Sequence, residues 1–184
     1  MTDAREIAPE EILAFWREAG PERWYKRDAA FDTVIRSRFL PLWQKAAAGG
    51  LSSWETSDDG VLALVIVLDQ FPRNMFRDDI RTYSSDALAR EIAGRAIERG
   101  ADMRVEDALL EFLYMPFMHS ELLSDQLRCV ELFRITGNPE NLRYSEDHAD
   151  IIRRFGRFPH RNRILGRMTT SEEQAFLDQG GFSG

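Results

Sequence analysis

The 184-residue chain has one cysteine, Cys129, and only two lysines beside 22 arginines. A single thiol excludes an intrachain disulfide and suits a reducing compartment. No long hydrophobic run is present: the longest covers residues 61–68 and is closed by Asp69, far short of the roughly 20 residues that a membrane-spanning helix requires. The opening residues, MTDAREIAPEE, carry acids where a secretory signal places positive charge, so a cytoplasmic protein is expected. Acidic side chains outnumber basic ones. With 31 acidic and 24 basic side chains the formal net charge is −7, which argues against a general nucleic-acid binder, whose affinity comes mostly from neutralising phosphates. There is no P-loop, no G-x-G-x-x-G and no G-x-S-x-G. The length and the hydrophobic content of 43% exclude disorder and are enough for one sizeable core or two small ones.

What is present is helical spacing. Ile12, Phe15, Trp16 and Ala19 form one stripe, with Pro9 suited to a first turn and Gly20 to a stop. Asp28 is placed to cap a helix carrying Phe31, Ile35, Phe39 and Leu42. Residues 61–68 are rich in β-branched side chains, but no second strand-like segment exists for them to pair with, so they are read as a buried helix ending at Asp69. Ser84 or Ser85 opens a helix through Ile97, and another begins near Val105 and is expected to break at Pro116. Leu122, Leu123, Val130 and Phe133 mark a further helix, residues 142–154 the next, and Thr170 with Glu173 has capping-box spacing for a last one. The expectation is an all-α fold, a compact multi-helix array forming a single domain over residues 1–184, with at most a weak subdivision near residue 100.

Three features stand apart from this pattern. Phe71-Pro72-Arg73-Asn74 is echoed by Phe158-Pro159-His160-Arg161-Asn162, and proline at a helix start beside Arg or His suits a carboxylate or phosphate as well as a simple cap. Residues 151–168 hold Arg153, Arg154, Arg157, Arg161, Arg163 and Arg167 with His160 and no acid, an island of positive charge that either binds an anion or packs against acids such as Asp69, Glu121 or Asp150. The apolar stretch 112–118 ends in His119-Ser120-Glu121, groups capable of proton transfer. All three histidines are read as lying near junctions. A metal site of His119, His148 and His160 with Glu121 is not supported, because no pair has the three- or four-residue spacing that puts two ligands on one helical face. Neither a metal nor another cofactor is expected. Cys129 shares a stripe with Leu122 and Phe133 and is read as a buried, inert thiol. Asp69, at the end of an apolar octet, demands a cationic partner, with Arg73, Arg157 and Arg161 as candidates.

The stretches Leu68-Asp69-Gln70-Phe71-Pro72-Arg73-Asn74, residues 112–121, and Arg154-Phe155-Gly156-Arg157-Phe158-Pro159-His160-Arg161-Asn162 followed by Leu165-Gly166-Arg167 resemble the hallmark segments of a bacterial domain-of-unknown-function family, number nine-two-four. The resemblance runs from the Phe15-Trp16 pair to Phe182. It implies an all-helical fold similar to tetratricopeptide-like arrays and a soluble bacterial protein, and it transfers no catalytic residue.

On the residues alone, the best functional expectation is a binder of a small anionic metabolite, with Arg73, Asn74, Arg157, Arg161 and Asn162 as ligand-binding groups, Asp69 as a structural ion-pair partner, and His119, Glu121 and His160 as candidates for acid–base work. A helical scaffold taking a partner's peptide is the alternative from another class. A hydrolytic enzyme, cofactor-independent or metal-dependent, is the third. No motif specifies an oligomeric state.

Overall fold

The computed structural model describes residues 6–182; the first five residues of the acidic opening segment, part of the basis for expecting an unexported chain, lie outside the described residues. Among the described residues every regular element is helical and no strand occurs. None of these helices is long and apolar enough to cross a membrane. The contacts gather into two units. The first runs to Arg77 and resumes over Arg81–Pro116, and the second comprises Asp78–Ile80 and the chain from Phe117 onward.

The first unit contains α1 (Pro9–Ala19), α2 (Pro21–Trp24), α3 (Ala29–Ala47), α4 (Asp58–Val65), α5 (Phe71–Met75) and α6 (Asp86–Glu98). Asp28 caps α3 by accepting the N–H groups of Ala30 and Phe31, and Ser57 caps α4 by accepting that of Gly60. Gly60 is there for space, since a Cβ would lie 2.3 Å from the Trp54 carbonyl oxygen. Helix α4 packs against α1 and α6, and α3 packs against α5. Residues 61–68 are helical and buried throughout, as their composition suggests. Rings fill the remaining space: Phe39 stacks on Phe71 at 5.0 Å, and Trp16 meets Phe112 edge-on at 5.5 Å.

The helix does not stop at Asp69. Residues Ile66–Gln70 widen into a π-turn, with the Phe71 N–H donating to the Ile66 carbonyl five residues back, and α5 follows directly. Pro72 brings no N–H for the carbonyl four residues before it, that of Leu68, and the Ser85 hydroxyl donates to that oxygen at 2.6 Å while accepting from Trp43 Nε1. A tertiary hydroxyl thus satisfies what a proline would otherwise orphan. Pro116 likewise fails to interrupt its helix: α7 (Glu111–Met118) runs through it. Residues 112–118 are all buried, and burying side chains of this kind at about 1.5–3 kcal/mol each outweighs the roughly 3 kcal/mol cost of an internal proline.

The second unit contains α8 (Leu123–Thr136), α9 (Pro139–Phe155) and α10 (Ser171–Asp178), with α8 against α9. Asn138 caps α9 through the N–H groups of Glu140 and Asn141, and Pro139 takes the first turn. Leu122 and Leu123 prove to be outward-facing, at 54% and 38% exposure. The buried stripe of α8 is Gln126, Cys129, Val130 and Phe133, which keeps the helical spacing without them. His148 lies inside α9 rather than at a junction. Gly156 ends α9 in the left-handed region (φ 68°), turning the chain sharply into Arg157 and Phe158.

Candidate functional site

In the first unit the polar centre is built around the π-turn. Asp69 is fully buried. Its Oδ2 accepts from the neighbouring Gln70 amide at 2.7 Å, and its Oδ1 lies 3.5 Å from Arg73 Nη1. Arg73 is shared: Nη1 donates to the Asp69 carbonyl at 2.6 Å, and the guanidinium forks onto Asp86 at 2.9 and 3.0 Å. Burial works against the Arg73 charge, yet the two carboxylates hold its pKa above the ordinary arginine value. Asn74 donates to Asp32 at 2.8 Å, which also receives Arg77. Gln70 reaches Met115 Sδ at 3.4 Å, joining the first half of the apolar stretch to the first motif.

In the second unit the other half of that stretch meets the third motif. Glu121 accepts the Phe158 N–H at 2.8 Å and a two-pronged bond from Arg167 at 2.7 and 3.0 Å. Burial by itself raises the Glu121 pKa, but the Arg167 hydrogen bonds, the Phe158 N–H and the charges of Arg167 and Arg161 bring it below the usual glutamate value. Arg161 is 7% exposed, with its guanidinium carbon 4.5 Å above the Phe158 ring. His148 packs edge-on against the same ring at 5.6 Å, and His160 lies beside it at 5.6 Å. Burial pushes the His148 pKa down to about 4; the Tyr144 carbonyl opposes this, and the charges of His119 and Arg161 add to it. Arg167 Nε is buried and has no hydrogen-bond partner among the described residues.

Beside this cluster Glu173, 2% exposed, gathers Arg157 Nε and Nη2 at 2.6 and 2.9 Å, Asn162 Nδ2 at 3.2 Å and the Thr170 N–H at 2.7 Å. The Arg157 bonds are the main cause of its pKa falling to about 2, with burial opposing and the Thr170 and Asn162 donors assisting. The rest of the arginine island is also paired, but on the exposed surface. Arg153 bonds Asp150, Arg154 bonds Glu172 at 2.9 Å and Arg163 bonds Asp78 at 2.8 Å.

Of the residues singled out in the sequence, Arg73, Asn74 and Asp69 belong to the first unit, while His119, Glu121, Arg157, His160, Arg161 and Asn162 belong to the second. Within the second, Glu121 and the 158–161 turn come together, and Arg157 and Asn162 share Glu173. Glu173 and Asp86 were not recognised as partners. Glu173 reads in the sequence only as half of a capping box, and its principal cation lies 16 residues away. Arg167 stands in the sequence as one member of the island and of the Leu165-Gly166-Arg167 segment, with nothing to mark Glu121 as its partner. His148 stood out only as a histidine. Cys129 is buried, and burial raises its thiol pKa, so it holds little thiolate. No group of three or more His, Cys, Asp or Glu side chains among the described residues is arranged to hold a metal ion.

An all-helical protein whose polar groups concentrate at its Phe-Pro segments is therefore the class that fold and geometry define. The chain belongs to the family described as "Bacterial protein of unknown function (DUF924)", whose model matches residues 12–181. It is also similar to a solved structure of a protein of unknown function from Agrobacterium tumefaciens, with 44% sequence identity, a TM-score of 0.91, and coverage of 94% of this chain and 97% of that one. No curated protein matches its sequence.

Proposed function

We propose that the protein binds a small anionic metabolite at Arg161, with His119 and His160 as accompanying donors. The observation that carries this reading is a guanidinium only 7% exposed, held 4.5 Å above the Phe158 ring with His148 and His160 packed against the same ring. A buried donor at Arg167 Nε supports it. Arg73, Asn74, Arg157 and Asn162 are occupied by carboxylates and serve as frame. If the bound anion reacts, proton transfer falls to His119 and His160, because Glu121 is fixed in its ion pair.

The test is a thermal-shift series with inorganic phosphate and with succinate at matched ionic strength, since an anion that binds only the folded state raises Tm. One anion is expected to raise Tm by several degrees at about 100 times its Kd, equivalent to about 2.7 kcal/mol. The rise should vanish in Arg161→Gln and shrink in His160→Gln, whose side chain is only half-buried. No rise with either anion, or a rise that survives in both variants, overturns the reading.

A further inference from the structure

A second recess in the same unit has different chemistry. Between α9 and α10 lies an open cleft of about 330 Å³, lined by Tyr144, His148, Ile151, Phe155, Phe176 and Phe182. Its volume is at the small end of the range for ligand sites, and its walls are mostly aromatic, as such sites usually are. Phe155 and Phe176 pack at 5.2 Å across one wall, and Phe182 stands edge-on to His148 at 4.4 Å. Asp147, Asp150 and Arg154 complete the lining, and Arg154 is bonded to Glu172.

His148 is the polar group in this wall whose hydrogen bonding is most constrained. It is 6% exposed, and its Nδ1 lies 2.7 Å from the Tyr144 carbonyl oxygen. A carbonyl only accepts, so Nδ1 carries the proton. In a neutral imidazole the other nitrogen, Nε2, is then a lone-pair acceptor, and among the described residues it has no hydrogen-bond partner. The folded protein keeps the ring neutral near pH 7, because burial pushes its pKa to about 4. An ionised carboxylate has no proton to give such a nitrogen. A hydroxyl or amino group has one.

We propose that this cleft binds a small aromatic molecule bearing a hydroxyl or amino hydrogen-bond donor, with the ring held between Phe155, Phe176 and Phe182 and the donor directed to His148 Nε2. The site adjoins the anion cluster, since His148 packs on Phe158 and Phe182 on His160, but it favours the opposite ligand polarity and does not use Arg161.

The experiment uses the full chain at pH 7 and a matched series of para-substituted toluenes: p-cresol, p-toluidine, p-methylanisole and p-toluate, titrated while the His148 ring resonances are followed by NMR. p-Cresol or p-toluidine should move those resonances with saturation, and p-methylanisole, which keeps the ring but lacks the donor, should bind at least tenfold more weakly. p-Toluate should be the weakest. His148→Phe should reduce p-cresol affinity about tenfold and leave p-methylanisole unchanged. Because that variant alters a buried position, Phe182→Ala, at a partly exposed wall, provides a second check and should weaken every ligand of the series. Equal binding of p-cresol and p-methylanisole would overturn the donor requirement, tightest binding of p-toluate would overturn the assigned polarity, and no saturable shift with any of the four would overturn the site. None of these outcomes depends on whether phosphate or succinate binds near Arg161.

Discussion

Two buried carboxylates, Asp69 in the first unit and Glu173 in the second, solve one problem in different ways. Each is almost entirely removed from water, and each needs compensating donors. Asp69 takes them from its own helix, with Gln70 next to it and Arg73 one turn on, and Arg73 divides itself between Asp69 and Asp86. Glu173 takes them from a distance: the Arg157 fork from 16 residues upstream, the Asn162 amide from 11 and only the Thr170 N–H from its own capping box. The first arrangement is local to a helix whose apolar neighbours are buried on every side. The second ties α10 to the turn that follows α9, and α10 carries Phe176, a wall of the aromatic cleft. Removing the first attacks the core of its unit, whereas removing the second should loosen one helix and the cleft it borders.

The largest effect is expected on the first side of that comparison. Arg73→Met leaves Asp69 and Asp86 without their shared cation, and urea denaturation at neutral pH should show a loss of about 4 kcal/mol, as for breaking a buried ion pair. A midpoint equal to wild type would mean that Asp69 is held without Arg73, and the contrast with Glu173 would disappear.

On the second side, Glu173→Gln should cost about 3 kcal/mol at pH 7, since each pKa unit is worth about 1.4 kcal/mol. Its folded pKa, about 2, lies below the ordinary glutamate value of 4.5. The stability it contributes is therefore fully present above that ordinary value and lost as pH falls toward 2. Wild type and variant should converge in Tm at about pH 2, and a constant difference across the range would refute the ion-pair account. Amide exchange in α10 should rise in this variant more than in α4, which would sharpen the distinction between loosening a helix and opening a core.

His148 provides a third test, with a buried neutral ring in place of a paired carboxylate and the same direction of pH dependence. Its folded pKa of about 4 lies below its ordinary 6.5, so below pH 6.5 the unfolded chain takes up a proton that the folded state resists, and stability falls from pH 6.5 toward 4. The loss should be about 2 kcal/mol after local relaxation is allowed for, and His148→Phe should remove that pH dependence. An NMR midpoint near 6.5 for the His148 ring would contradict its burial beside Tyr144 and Phe158. The smallest effect belongs to Thr170→Ala, about 1 kcal/mol for a lost N-cap, because Glu173 would keep its Arg157 and Asn162 bonds.

What the sequence determined by itself is the set of helices and several of their ends. Stripes such as Ile12, Phe15 and Trp16, caps at Asp28 and Thr170, and the glycine stop at Gly156 all act within one or two turns, and interactions of that range leave a periodic trace in the chain. The three polar segments were legible as places where chemistry concentrates, and Arg73 was already the nearest candidate for Asp69. Tertiary structure decided what the local pattern could not. Pro72 continues a helix because a π-turn and the distant Ser85 hydroxyl accommodate it, and Pro116 does so because its whole segment is buried. Arg167 was assigned to Glu121 across 46 residues, and Arg157 to Glu173 across 16. Charge has no period. An arginine can pair with whichever carboxylate folding brings within reach, and desolvation, which makes that choice energetically important, exists only once the chain has closed around both groups.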